Sequence, residues 1–150
     1  MRSVMVMAHE VSCKYPNQFP VDINLIVKDY GIIVDYISMG DEFNGLYLRY
    51  PSPTIAINNR QTLVRQRFTL AHELFHHLTC TNEVNALCFS TNKDKTMEER
   101  KARKFAAHLL MPEQAIRSLM ALGLDKGKLL QAFLVSQEAL EIRLRELKIA

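Results

Sequence analysis

Phe68-Thr69-Leu70-Ala71-His72-Glu73-Leu74-Phe75-His76-His77-Leu78 is the stretch from which the rest of the chain can be read. It contains H-E-x-x-H as His72, Glu73 and His76. On an α-helix, residues four apart lie about 40° apart around the axis and roughly 6 Å apart along it. Both imidazoles therefore leave one face and can bind a single metal ion. Glu73 projects about 100° further round, which places its carboxylate beside the metal as a general base rather than on it. Ala71, Leu74, Phe75 and Leu78 form an apolar stripe beside the histidines. Unpartnered imidazoles at a core margin are costly, and ligation would satisfy them.

At 150 residues the chain fits one domain spanning 1–150, with 48% hydrophobic residues for its core. A net charge of +3 is too small to argue for nucleic-acid binding. No apolar run approaches a membrane span, and the first residues do not read as a secretory signal. Cys13, Cys80 and Cys88 are odd in number and share no CxxC spacing, which points to reduced thiols in a cytoplasmic protein.

The spacing predicts helices at 3–14, with Ser3 as cap, and at 20–30, opened by Pro20 and closed by Gly31. Val21, Leu25, Ile26 and Tyr30 supply the second helix's apolar face. Strands follow at 32–37, 46–50 and 54–57, with a polar turn over 39–45. Pro51 and Pro53 put the third strand near a sheet edge. The H-E-x-x-H helix comes next, then a stretch without periodicity over 79–95. Thr96 caps a helix that runs to about Met111, and shorter helices are expected at 112–122, 125–134 and 136–147, the last capped by Ser136. The fold class is α+β, with about three mainly antiparallel strands between two groups of helices.

A site of this type needs a third protein ligand. A further histidine in the metzincin pattern is excluded, because the required Gly and His positions hold Thr79 and Asn82. Glu98 and Glu99 both lie within about 60° of the buried face of the following helix, so helix geometry leaves the choice open. His108, about 120° from that face, is expected to face solvent. His77 is expected to pack or sit on the surface, and Cys80 and Cys88 are soft donors nearby in sequence.

The segment Arg67-Phe68-Thr69-Leu70-Ala71-His72-Glu73-Leu74-Phe75-His76 resembles the R-F-T-x-A-H-E-x-x-H core of the ImmA/IrrE metallo-endopeptidases. Glu99-x-x-Ala102-x-x-Phe105-Ala106-Ala107-x-Leu109-Leu110-Met111-Pro112 is similar to their second block. Pro20 to Asp22, Ile55 to Asn58 and the V-S-x-x-A-x-x-x-R-L pattern from Val135 to Leu144 extend the likeness over nearly the whole chain. The resemblance implies a minimal zincin-like fold, Zn²⁺ held by His72, His76 and Glu99, and Glu73 as the catalytic carboxylate. Arg103 departs from it, standing where the family usually has Asn. The resemblance also implies a substrate: a helix-turn-helix repressor, cut to relieve repression in mobile-element or stress regulation.

For such an enzyme, the strand carrying Ile55, Ala56 and Ile57 would pair with extended substrate by main-chain hydrogen bonds. The oxyanion needs a donor besides the metal, and no spacing singles one out; Tyr47 or an Arg could serve. Two rival classes keep part of the pattern. A zinc-containing module could sequester a repressor or antitoxin-like partner without cutting it, but it has no need of Glu73. A DNA-binding regulator could use Arg143, Arg145 and Lys148, but Glu138, Glu141 and Glu146 interleave with them as on an ordinary solvated face.

Overall fold

The computed structural model describes residues 3–79, 87–91 and 96–149. Its elements in chain order are α1 (Val4–Ser12), α2 (Ile23–Asp29), β1 (Ile33–Ile37), β2 (Phe43–Leu48), β3 (Thr54–Asn58), α3 (Leu63–Thr79), β4 (Leu87–Thr91), α4 (Met97–Leu110), α5 (Glu113–Ala121), α6 (Lys126–Phe133) and α7 (Gln137–Glu146). The class is α+β. The side chains of Ser3, Thr96 and Ser136 cap α1, α4 and α7 as their positions predict, each accepting a backbone N–H of the first turn. Pro20 does not open α2. Asp22 does, by accepting from the Leu25 N–H at 3.1 Å. This start sets the buried face as Ile23, Ile26 and Val27, leaving Leu25 exposed.

The strands run in the order β1-β3-β2-β4, with β1 and β3 parallel and the other two pairs antiparallel. Two expectations change here. The third strand is not at an edge: β3 is paired along its length with β1 on one side and β2 on the other. The main-chain groups of Ile55, Ala56 and Ile57 therefore lie within the sheet's ladders, with no edge left for an added substrate strand, and their side chains are buried. Pro53 precedes the strand and removes no ladder bond; its carbonyl accepts from the Ile33 N–H at 2.9 Å. The second change is β4, which lies in the stretch read as aperiodic and pairs with β2, Tyr47 opposite Cys88.

β2 also begins earlier than expected. Gly45 is a strand residue, not part of a turn. A Cβ at this position would stand 2.7 Å from the Ala56 carbonyl oxygen and 2.9 Å from Thr69 Cγ2. Glycine is needed there so that β2, β3 and α3 can approach closely.

α3 lies across β2 and β3 and packs along α4, which also contacts α1. Leu70, Ala71 and Leu74 of α3 meet Phe105, Leu109 and Leu110 of α4 in one core with Ile55 and Ile57 of the sheet. Burying a side chain such as Leu74 stabilises the fold by about 1.5–3 kcal/mol. This packing fixes the α3–α4 pair, and with it the polar residues carried between the two helices. Among the described residues no helix is long and apolar enough to cross a membrane.

Candidate metal centre

Nine residues of α3 are buried, and three of them are His72, Glu73 and His76. The histidine rings are 5.1 Å apart between centroids and meet edge to face. Thr96 caps α4 one turn before Glu99, fixing that helix's first turn against α3. Glu99 is 5% exposed, whereas Glu98 is exposed to solvent. The Glu99 carboxylate spans both imidazoles: Oε2 is 2.7 Å from His72 Nε2, and Oε1 is 2.7 Å from His76 Nε2. Of the two glutamates the helix pattern left open, Glu99 is the one brought to the histidines.

Glu73 is fully buried, and its Oε1 lies 3.2 Å from His72 Nδ1. In the tautomer where Nδ1 donates to Glu73, Nε2 keeps its lone pair toward Glu99. The ligand atoms of His72, Glu73 and His76 also lie within 4.8 Å of one another, so Glu73 could be grouped as a ligand. Glu99 meets both Nε2 atoms, whereas Glu73 is engaged at the other nitrogen of one ring.

The contacts at Glu99 are close but poorly directed. His76 Nε2 and Glu99 Oε2 are buried and make no aligned hydrogen bond among the described residues, and Glu73 Oε2 is also without a partner. Each such atom costs about 1–3 kcal/mol unless something fills the gap. Two imidazole nitrogens and a carboxylate converging on a buried point are a donor set that fits a divalent metal ion.

Electrostatics agree with a cation site. Burial alone would lower His72, but the hydrogen bonds and charges of Glu73 and Glu99 outweigh it and raise the imidazole to about 9. Burial would raise Glu99, but His72 and His76 hold it down at about 2. Without metal, a proton on His72 supplies the positive charge that the carboxylates demand.

The other candidates fall elsewhere. Tyr47 is buried, and its hydroxyl lies 2.7 Å from His77 Nδ1, so both are committed to packing α3 on β2. His77 is lowered by burial and by Arg49. His108 does not face solvent. Its side chain is only 11% exposed, and Arg143 Nη1 stands 3.3 Å from its Nε2. Arg143 is 2% exposed and donates from Nε to the Met111 carbonyl, so it belongs to no basic surface edge. Cys80 and the Cys88 side chain lie outside the described residues, and Cys13 is an exposed free thiol.

A cleft of about 710 Å³ runs beside the centre between α3, α4 and α7 and reaches His72. Arg67, next to it in sequence, is structural: its guanidinium donates to the Val21 carbonyl at 2.8 Å and ties α3 to the approach to α2.

Fold and centre together define an α+β domain with a buried His/Glu/His group on its central helix. Residues 27–145 match the family model described as the IrrE N-terminal-like domain, and the chain belongs to this M78 peptidase family. No curated protein matches the chain. Among solved structures it is similar to a Mycobacterium tuberculosis transcriptional regulator, with a TM-score of 0.66 at 16% identity over 94% of this chain. The chain spans about half, 46%, of that protein's length, and the likeness is one of fold.

Proposed function

We propose that the chain is a zinc-dependent endopeptidase that cuts a helix-turn-helix transcriptional repressor in the cytoplasm. The observation that carries this reading is the pair of imidazole Nε2 atoms, each 2.7 Å from one oxygen of Glu99, with Glu73 Oε2 beside them and without a partner among the described residues. His72, His76 and Glu99 would hold the metal. When bound, it would polarise the scissile carbonyl and lower the pKa of a water molecule. Glu73 has a separate task for each oxygen. Oε1 holds His72 through Nδ1, which fixes the ring and raises its basicity. Oε2 takes the proton from the attacking water and delivers it to the leaving amine. Full burial keeps this carboxylate away from competing solvent.

The repressor as substrate rests on the likeness of the blocks at 67–76 and 99–112 to the ImmA/IrrE enzymes. An extended substrate needs a free strand edge, and β4 is the candidate instead of β3. It is the last strand of the sheet and touches α3.

Glu73→Gln tests the reading. The variant keeps an acceptor for His72 Nδ1 and should still load one zinc per chain, but lose cleavage of the cognate repressor by about 10²-fold or more, followed on a gel. If neither protein cuts the repressor yet both relieve repression equally, the chain is a sequestering module and Glu73 is not a base.

A further inference from the structure

We propose that the cleft between α3, α4 and α7 selects an acidic stretch of the polypeptide substrate. This rests on the endopeptidase reading and goes beyond it, since nothing in that chemistry requires a charge preference. The cleft reaches His72, so a chain lying in it passes the scissile position. Arg65 lines it from α3, and Arg100, Arg103 and Lys104 line it from α4. Positions 100, 103 and 104 share one helical face, so the three α4 cations form a single bank. Two carboxylates, Glu138 and Glu146, line the cleft from α7. Glu146 lies 3.6 Å from Arg143 Nη1 and is balanced from behind. Arg65, Arg100 and Lys104 thus set three cations beside these two carboxylates, one of them already paired, on a chain whose whole formal charge is +3.

Phe68 and Ile142 also line the cleft, and Ile142 is 42% exposed. An apolar floor with a basic bank fits a peptide that alternates carboxylates with apolar side chains. It fits a phosphodiester backbone less well, because apolar contacts gain nothing from phosphates and the α7 carboxylates repel them. Surface charge pairs are individually weak, so selection depends on several acting together.

The test uses the zinc-loaded Glu73→Gln chain and two fluorescent peptides of about a dozen residues. They share an apolar centre and are flanked by Glu in one and Lys in the other. Anisotropy should show the Glu-flanked peptide binding at least about tenfold tighter, with the margin shrinking as salt screens the contacts. Arg100 and Lys104 are exposed, so R100E/K104E should keep the wild-type melting temperature and zinc content while losing the preference. Equal binding of both peptides, no binding of either, or a preference that survives R100E/K104E overturns the proposal. So does a single-stranded DNA oligonucleotide of equal charge that binds as tightly as the acidic peptide. Cleavage by the wild-type chain is scored separately. Acidic-peptide binding without any cleavage sinks the endopeptidase reading alone, and cleavage of both peptides at equal rates sinks the acidic selection alone.

Discussion

Two junctions in this molecule bury a histidine among charged groups, with opposite results. Between α3 and α4, His72 lies against Glu73 and Glu99 and is raised to about 9. Between α4 and α7, burial first, and then Arg143 and Lys104, push His108 down to about 4. At the second junction the guanidinium bonds the Met111 carbonyl from Nε, while its Nη1 lies near His108 and Glu146. At the first, three buried atoms have no aligned partner among the described residues. A satisfied polar cluster holds two helices together; an unsatisfied one waits for a ligand. Burial and a perturbed histidine are common to both, so neither feature alone marks a site.

The largest effect should come from the carboxylate at the first junction. Glu99→Gln removes the charge that meets both Nε2 atoms and should weaken zinc binding by more than about 100-fold, because a ligand is lost and not merely its support. Glu98→Gln alters an exposed side chain and should leave affinity within about twofold. Competition with a chromogenic chelator measures both. Equal losses in the two variants would erase the distinction between a ligand-seeking cluster and its surroundings.

A smaller change should follow at the second junction, and in stability instead of affinity. Arg143→Met keeps much of the buried volume but leaves the Met111 carbonyl without its donor, at about 1–3 kcal/mol. Loss of a costly buried charge offsets part of this. Thermal melts should fall by a few degrees while zinc affinity stays within about twofold. A marked loss of zinc binding would mean that the two junctions are coupled along α4, and the structural reading of Arg143 would be wrong.

The first junction was largely legible in the sequence and the second was not, for a physical reason. The i, i+4 histidines, the apolar stripe beside them and the Thr96 cap are local patterns that a helix turns directly into geometry. Arg143 lies among Glu141, Arg145 and Glu146, and nothing local separates it from that exposed company; its burial depends on the end of α4, over thirty residues away. The sheet shows the same limit. Leu87, Phe89 and Thr91 alternate over only five residues, and their partner strand β2 lies some forty residues earlier. The prolines around Ser52 read as an edge signal, yet both precede β3 and cost its ladder nothing. Gly45 read as a turn because its reason, the approach of Thr69 and the Ala56 carbonyl, is tertiary.

The smallest effect, and the one that separates the junctions most cleanly, is the pH dependence of stability without metal. His72 in the folded chain holds its proton to about 9, against an ordinary value of 6.5. Its contribution is complete below 6.5 and is lost as pH rises through 9. His108 has the opposite sign. The folded chain resists protonation until about 4, while the unfolded chain takes the proton near 6.5, so stability falls between 6.5 and 4. Glu99, held at about 2 against 4.5, adds a further loss as pH falls below 4.5. Chelator-treated protein should therefore melt highest near pH 6.5 and lower on both sides. Loading zinc removes the alkaline decline, because the metal takes the place of the proton on His72 Nε2. His108→Gln reduces the acid decline between 6.5 and 4 and leaves the alkaline one in place. Melting curves across this range, with and without zinc, measure both limbs. An alkaline decline that persists in the zinc-loaded protein would mean that the proton on His72 does not stand where the metal goes, and the contrast between the two histidines would fail at the site that matters for chemistry.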